Sequence, residues 1–154
     1  MKLSTSILAL GFSLSGAFAA LPALAAPVFA SAGQTFYQST GCSPHSDNLT
    51  LTVTAQHLTL VRSTPMDTTK TLVLNLDSSV ITSYLAEYDG PSSRPRETSN
   101  TWSPNQPTEF LAALATLKAG VVQIKTTNGC FPDRPILNDV VDYLNDLTVQ
   151  VQKV

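Results

Sequence analysis

Between residues 49 and 76 apolar and polar side chains alternate, and no other feature limits the possible folds so strongly. Leu49, Leu51 and Val53 are interleaved with Thr50, Thr52 and Thr54; after Ala55-Gln56 the pattern resumes with Leu58 and Leu60 beside Thr59 and Val61. Successive side chains of an extended chain point to opposite faces, so a period of two describes strands with one face in a core and one in water. The two runs read as a pair of strands around a short turn. Leu72, Leu74 and Leu76 alternate with Val73 and Asn75 in the next strand, which Asp77-Ser78-Ser79 interrupts. Threonine suits such positions because its branched Cβ favours pleated backbone while its hydroxyl faces water.

Elsewhere the period changes or is ambiguous. From Val80 to Tyr88, Ile81, Tyr84, Leu85 and Tyr88 fit one face of a helix, and a twisted or bulged strand fits the same residues. Asp89 to Pro107 is crowded with breakers, among them Asp89-Gly90-Pro91, Pro95, Ser103-Pro104 and Pro107, and reads as a long loop inserted between the halves of one domain. Phe110, Ala113, Leu114 and Leu117 recur at three and four, predicting a helix capped by Thr108 and ended by Lys118-Ala119-Gly120. Val121, Val122 and Ile124 then suggest a short strand. A second helix is expected over 138–145, with Val140, Val141 and Leu144 inward and Asp139, Asp142 and Asp146 outward. The alternation of Leu147, Val149 and Val151 suggests a terminal strand. The sum is a small single α+β domain with an antiparallel or mixed sheet and one or two short helices; an all-β sandwich or barrel is the alternative.

The N-terminus carries a targeting pattern. Lys2 precedes a largely apolar run from Ile7 to Ala25, with small residues at several cleavage positions, including Ala17-Phe18-Ala19 and Ala23-Leu24-Ala25. This is the form of a secretory signal peptide over 1–25, leaving a mature domain of 26–154; Ala19 and Ala30 are alternative cleavage points. Nothing later approaches 18 continuous apolar residues, so a soluble extracellular product is expected, or a periplasmic one. In an oxidising compartment the only two cysteines, Cys42 and Cys130, are expected to form one disulfide. A closed loop of that size would constrain the unfolded chain by roughly 4 to 5 kcal/mol. Each cysteine sits in a glycine-cysteine-X-proline corner. Asn48-Leu49-Thr50 is an N-glycosylation sequon, which predicts a glycan at Asn48 if export follows a eukaryotic route.

Chemistry-bearing residues are sparse. The formal net charge of −2 over 154 residues argues against general nucleic-acid binding. His45, Asp47 and His57 have no established metal spacing, and no metal or cofactor is assigned. No GxSxG, HExxH or phosphate-gripping glycine loop is present. A hydrolase or nuclease is the alternative function, with His45 or His57 moving a proton, Asp47, Glu87 or Glu97 as acidic counterpart, and Arg94 or Arg96 stabilising phosphate charge. The leading expectation is a small secreted recognition or protein-interaction domain. Its ligand-binding residues would be Trp102, whose broad ring suits a carbohydrate or protein partner, together with Arg94 and Arg96. The plainer reading of Trp102 is a plug that ties the loop to the core.

Overall fold

The computed structural model describes residues 25–30, 32–38, 48–64, 68–90, 93–127 and 134–154. Six strands come first and two helices follow: β1 (Gln34–Tyr37), β2 (Leu49–Val53), β3 (His57–Ser63), β4 (Thr68–Asn75), β5 (Val80–Glu87), β6 (Arg96–Trp102), α1 (Pro107–Thr126) and α2 (Pro135–Gln152). Each strand pairs antiparallel with the next, giving one sheet in the order β1-β2-β3-β4-β5-β6. The fold is thus the expected α+β domain, with a wholly antiparallel sheet.

Local chemistry sets the hairpins. Between β2 and β3 the Thr54 hydroxyl accepts the His57 N–H at 2.9 Å, and the Thr54 N–H donates to the His57 carbonyl at 2.9 Å. Between β4 and β5 the Asn75 side-chain oxygen accepts the N–H groups of Asp77 and Ser78 at 3.0 and 2.9 Å, an Asx turn. Ser79 completes that turn at φ +53°, in the left-handed region.

One face of the sheet is roofed by both helices. In register, Phe36, Leu51, Leu60, Leu72 and Ser83 form a row across five strands, and Val53, Leu58, Leu74, Ile81 and Trp102 form the next. The aliphatic and phenylalanine side chains of these rows, with Trp102 packed against them, meet the stripe of α1 (Phe110, Ala113, Leu114, Leu117, Gly120, Val121 and Ile124) and that of α2 (Ile136, Leu137, Val140, Tyr143, Leu144, Leu147 and Val151) in one buried cluster. Before β1, Phe29 joins the same cluster by packing its ring edge-on to Tyr143, centroids 6.2 Å apart.

The helices are longer than the sequence suggests. α1 starts with Pro107 at its first position, where the missing N–H costs nothing, so Thr108 lies inside it rather than capping it. It runs through Gly120 to Thr126, absorbing the expected strand at 121–124. Gly120 is a packing residue: a Cβ there would overlap the side chain of Leu60 on β3. Likewise 147–151 belongs to α2, because Leu147 and Val151 extend a three-four spacing that reaches the core, whereas Val149 is 46% exposed. Thr148 is tolerated there by donating its hydroxyl to the Leu144 carbonyl at 2.7 Å.

The Asp89–Pro107 loop is also corrected, since it contains β6. Every residue of that strand but Trp102 is exposed, so no apolar alternation marks it; hydrogen bonding to β5 makes it a strand.

Two expectations about covalent chemistry are withdrawn. There is no disulfide among the described residues, and Cys42 and Cys130 both lie outside them. Among the described residues the two layers are joined by the continuous apolar cluster and the sequential hairpins. Asn48 is exposed, and its carbonyl accepts the Ser63 N–H at 3.0 Å. It is accounted for as the residue that opens the β2–β3 ladder, and a glycoprotein is unsupported. Residues 1–24 of the expected 1–25 leader also lie outside the described residues, and no structural observation supports secretion.

Candidate functional site

The residues expected to bind a partner are spread along β6 and the segment before it. Trp102 ends β6 opposite Ile81 and packs against the core, half-buried, as a plug would. Arg96 begins the same strand, six residues away, which places it about 20 Å from Trp102 along the backbone. Its guanidinium pairs with Asp89 at 3.4 Å, both side chains being largely exposed, a contact that contributes little in water. Arg94 is exposed just before β6.

The described members of the proton-transfer constellation are not all brought together. His57 is opposite Asn75, and Asn75 is opposite Val80, so His57 belongs to the end of the sheet where β5 begins. Glu87 lies seven residues further along β5, about 23 Å away, with Arg96 opposite it and Glu97 beside it on β6. His45 and Asp47 lie outside the described residues. Among the described residues no cluster of histidine, cysteine or carboxylate side chains is arranged to hold a metal ion, and no helix is long and apolar enough to cross a membrane.

What the register does assemble is the second face of the sheet. Thr35, Thr52, Thr59, Val73, Thr82 and Thr101 stand in one cross-strand row, one residue from each strand, so five of six positions carry a threonine. The next row is Tyr37, Thr50, Val61, Thr71, Tyr84 and Ser99. None of these twelve side chains is buried. Strands about 4.8 Å apart bring neighbouring hydroxyls within reach of one another: Thr35 and Thr52 are hydrogen-bonded at 3.3 Å, as are Thr82 and Thr101.

Toward one end this face is hollowed. In a third row Ala86 stands between Thr69 on β4 and Glu97 on β6, and its methyl group leaves a dent beside the Tyr84 ring. The result is an open cleft of about 360 Å³ walled by Thr69, Thr71, Tyr84, Ala86, Glu97 and Ser99. Leu85 and Thr98 also line it; by strand alternation their side chains point to the helix side, so they meet it through the main chain. Tyr84 is 50% exposed. The side chains of Thr69, Thr71, Tyr84, Glu97 and Ser99 make no hydrogen bond or ion pair among the described residues.

Sequence reasoning placed Glu97 in a catalytic pair and Tyr84 on a possible helix face, and did not join them. The available signal was the continuation of period two from Val80 to Glu87, which puts Thr82, Tyr84 and Ala86 on one side. Without β6 as a strand, nothing set Glu97 beside them. Comparison of the chain with protein-family models, with curated proteins and with solved structures finds no match.

Proposed function

We propose that this chain is a recognition domain that acts outside the cytosol, in the extracellular space or a periplasm, and engages a carbohydrate or protein partner through the uncovered face of its sheet. One observation carries this reading: among the described residues the six-stranded sheet is roofed on one side, and the other side presents rows of hydroxyls and two tyrosines in regular register. An apolar second face would call for another protein layer; a hydroxyl-rich one is stable in water yet offers closely spaced donors and acceptors to a partner. The compartment rests on the leader pattern alone.

The test is binding of the purified protein to an immobilised glycan panel and to a panel of extracellular proteins. Thr52→Lys and Thr82→Lys project long charged chains from the face without touching the core, and both are expected to abolish binding while thermal unfolding stays cooperative. If every interaction survives both substitutions, the face is not the recognition surface.

A further inference from the structure

We propose that the cleft formed by β4, β5 and β6 is a saccharide subsite that receives one neutral sugar ring. The inference rests on the recognition reading above and names the ligand class and the residues that select it.

Geometry is the first argument. Ala86, between Thr69 and Glu97, is smaller than any of the twelve residues in the two rows before it, and that gap yields about 360 Å³, at the small end of ligand pockets and on the scale of a single pyranose. The second argument is aromatic. Tyr84 borders the dent with half its surface exposed. A ring so placed offers a flat apolar face to the C–H groups of a sugar, with its hydroxyl left to hydrogen-bond at the rim.

The third argument is hydrogen-bonding complementarity. Thr35 with Thr52, and Thr82 with Thr101, consume hydroxyls in pairs, whereas those of Thr69, Thr71 and Ser99 around the cleft have no partner among the described residues. Glu97 adds a carboxylate without an ion-pair partner among the described residues. An ionised carboxylate has two oxygens that only accept, which suits adjacent hydroxyls of a polyol that can both donate to it. Among the described residues it is also the only charged side chain lining the cleft, which disfavours phosphate, sulfate or uronate groups. A divalent cation would need several oxygen ligands of which one carboxylate is a single contributor. A neutral sugar uses all three features at once: the ring, the acceptor pair and the hydroxyls.

The test is titration of the isotopically labelled full-length protein with D-glucose, D-galactose, D-mannose and N-acetyl-D-glucosamine, followed by amide shifts and by saturation transfer to the sugar. One of these is expected to bind in the millimolar range usual for a single small ring, shifting amides of residues 84–86 and 97–99. Tyr84→Ala should weaken it at least tenfold and Tyr84→Phe by less than threefold. Glu97→Gln should weaken it severalfold. Ala86→Phe fills the dent with a residue of better strand propensity, so it should abolish binding without unfolding the domain. Inorganic phosphate should shift none of these amides.

The two readings fail separately. If no sugar shifts the cleft amides, or Ala86→Phe binds sugar as well as the parent does, the subsite proposal is overturned. The face reading survives that result if Thr52→Lys still abolishes binding to a glycan or protein of the panels. If Thr52→Lys and Thr82→Lys also leave all binding intact, both readings fall.

Discussion

Gly120→Ala tests why a glycine occupies the middle of a 20-residue helix. In a solvent-exposed helix that substitution stabilises by about 1 kcal/mol, because alanine leaves less backbone entropy to lose. Here the new Cβ would overlap one methyl of Leu60 and lie 3.0 and 3.3 Å from its other methyl and its Cγ. Leu60 is 3% exposed and held in register between Leu51 and Leu72, so it has little room to retreat. Forcing a methyl into a packed interior costs about 1 to 3 kcal/mol, which outweighs the helix gain and leaves a net loss on the order of 1 kcal/mol. For a domain of this size that lowers Tm by about 3 to 5 °C. The decisive comparison is a double-mutant cycle read by urea and thermal unfolding. Leu60→Ala alone should cost about 2 to 5 kcal/mol. In that background the added methyl enters vacated space, and Gly120→Ala should instead stabilise by about 1 kcal/mol. The coupling between the two sites is then about 2 kcal/mol, well above the additivity error of distant positions. If Gly120→Ala stabilises both backgrounds equally, the close approach of α1 to β3 does not explain the glycine.

Other parts of the core make further predictions. Phe29→Ala removes a ring that is 6% exposed and edge-on to Tyr143, and should cost about 3 kcal/mol in urea unfolding; an N-terminus generated after Ala30 should show the same loss, and unchanged stability would contradict the contact. Among the described residues the Tyr143 hydroxyl is buried with no well-formed hydrogen bond, and burial pushes its pKa above the ordinary 10.0 while the nearby Ser79 side chain offsets part of the rise. Above pH 10 the unfolded chain therefore releases this proton more readily than the native one, so stability declines as pH rises from the unfolded value toward the folded value. Tyr143→Phe should remove that tyrosine's share of the alkaline decline and raise stability at pH 7 by about 1 kcal/mol, since no unpartnered hydroxyl is left to bury; a loss at pH 7 would show that the hydroxyl is satisfied. The Arg134 guanidinium donates to the carbonyls of Ile124 and Lys125, the latter at 3.1 Å, tying the C-terminal turn of α1 to the start of α2. Arg134→Ala should cost about 1 to 2 kcal/mol by leaving those carbonyls without a cationic donor, and faster amide exchange over 123–127 is the local readout.

The elements that could be read locally share a property. β2 and β3 have one buried and one wet face, and Thr54 can close their turn with its own side chain, so pattern and turn chemistry agree within a few residues. The opening stripe of α1, from Phe110 to Leu117, is legible for the same reason. Val80–Tyr88 fitted two periods because Tyr84 and Leu85 are adjacent large side chains; pairing with β4 on one side and β6 on the other resolves it as strand. Gly120 resembled a helix end because glycine is common there, whereas its actual partner, Leu60, is distant in sequence. At 147–151 a short apolar alternation agreed with period two as well as with the longer stripe from Ile136, and contact with the core selected the stripe.

Binary pattern and turn residues, which act over a few bonds, suffice to determine that this chain forms antiparallel hairpins with threonine on their wet side and packs helices beneath them. The recognition face depends on tertiary structure. Tyr84, Ala86 and Glu97 become neighbours only when the main chain of β6 hydrogen-bonds to β5, and that pairing draws on backbone groups common to every residue. No side-chain pattern within Arg96–Trp102 announces it. The cleft is therefore a product of register, and register is an interaction between segments that neither segment encodes alone.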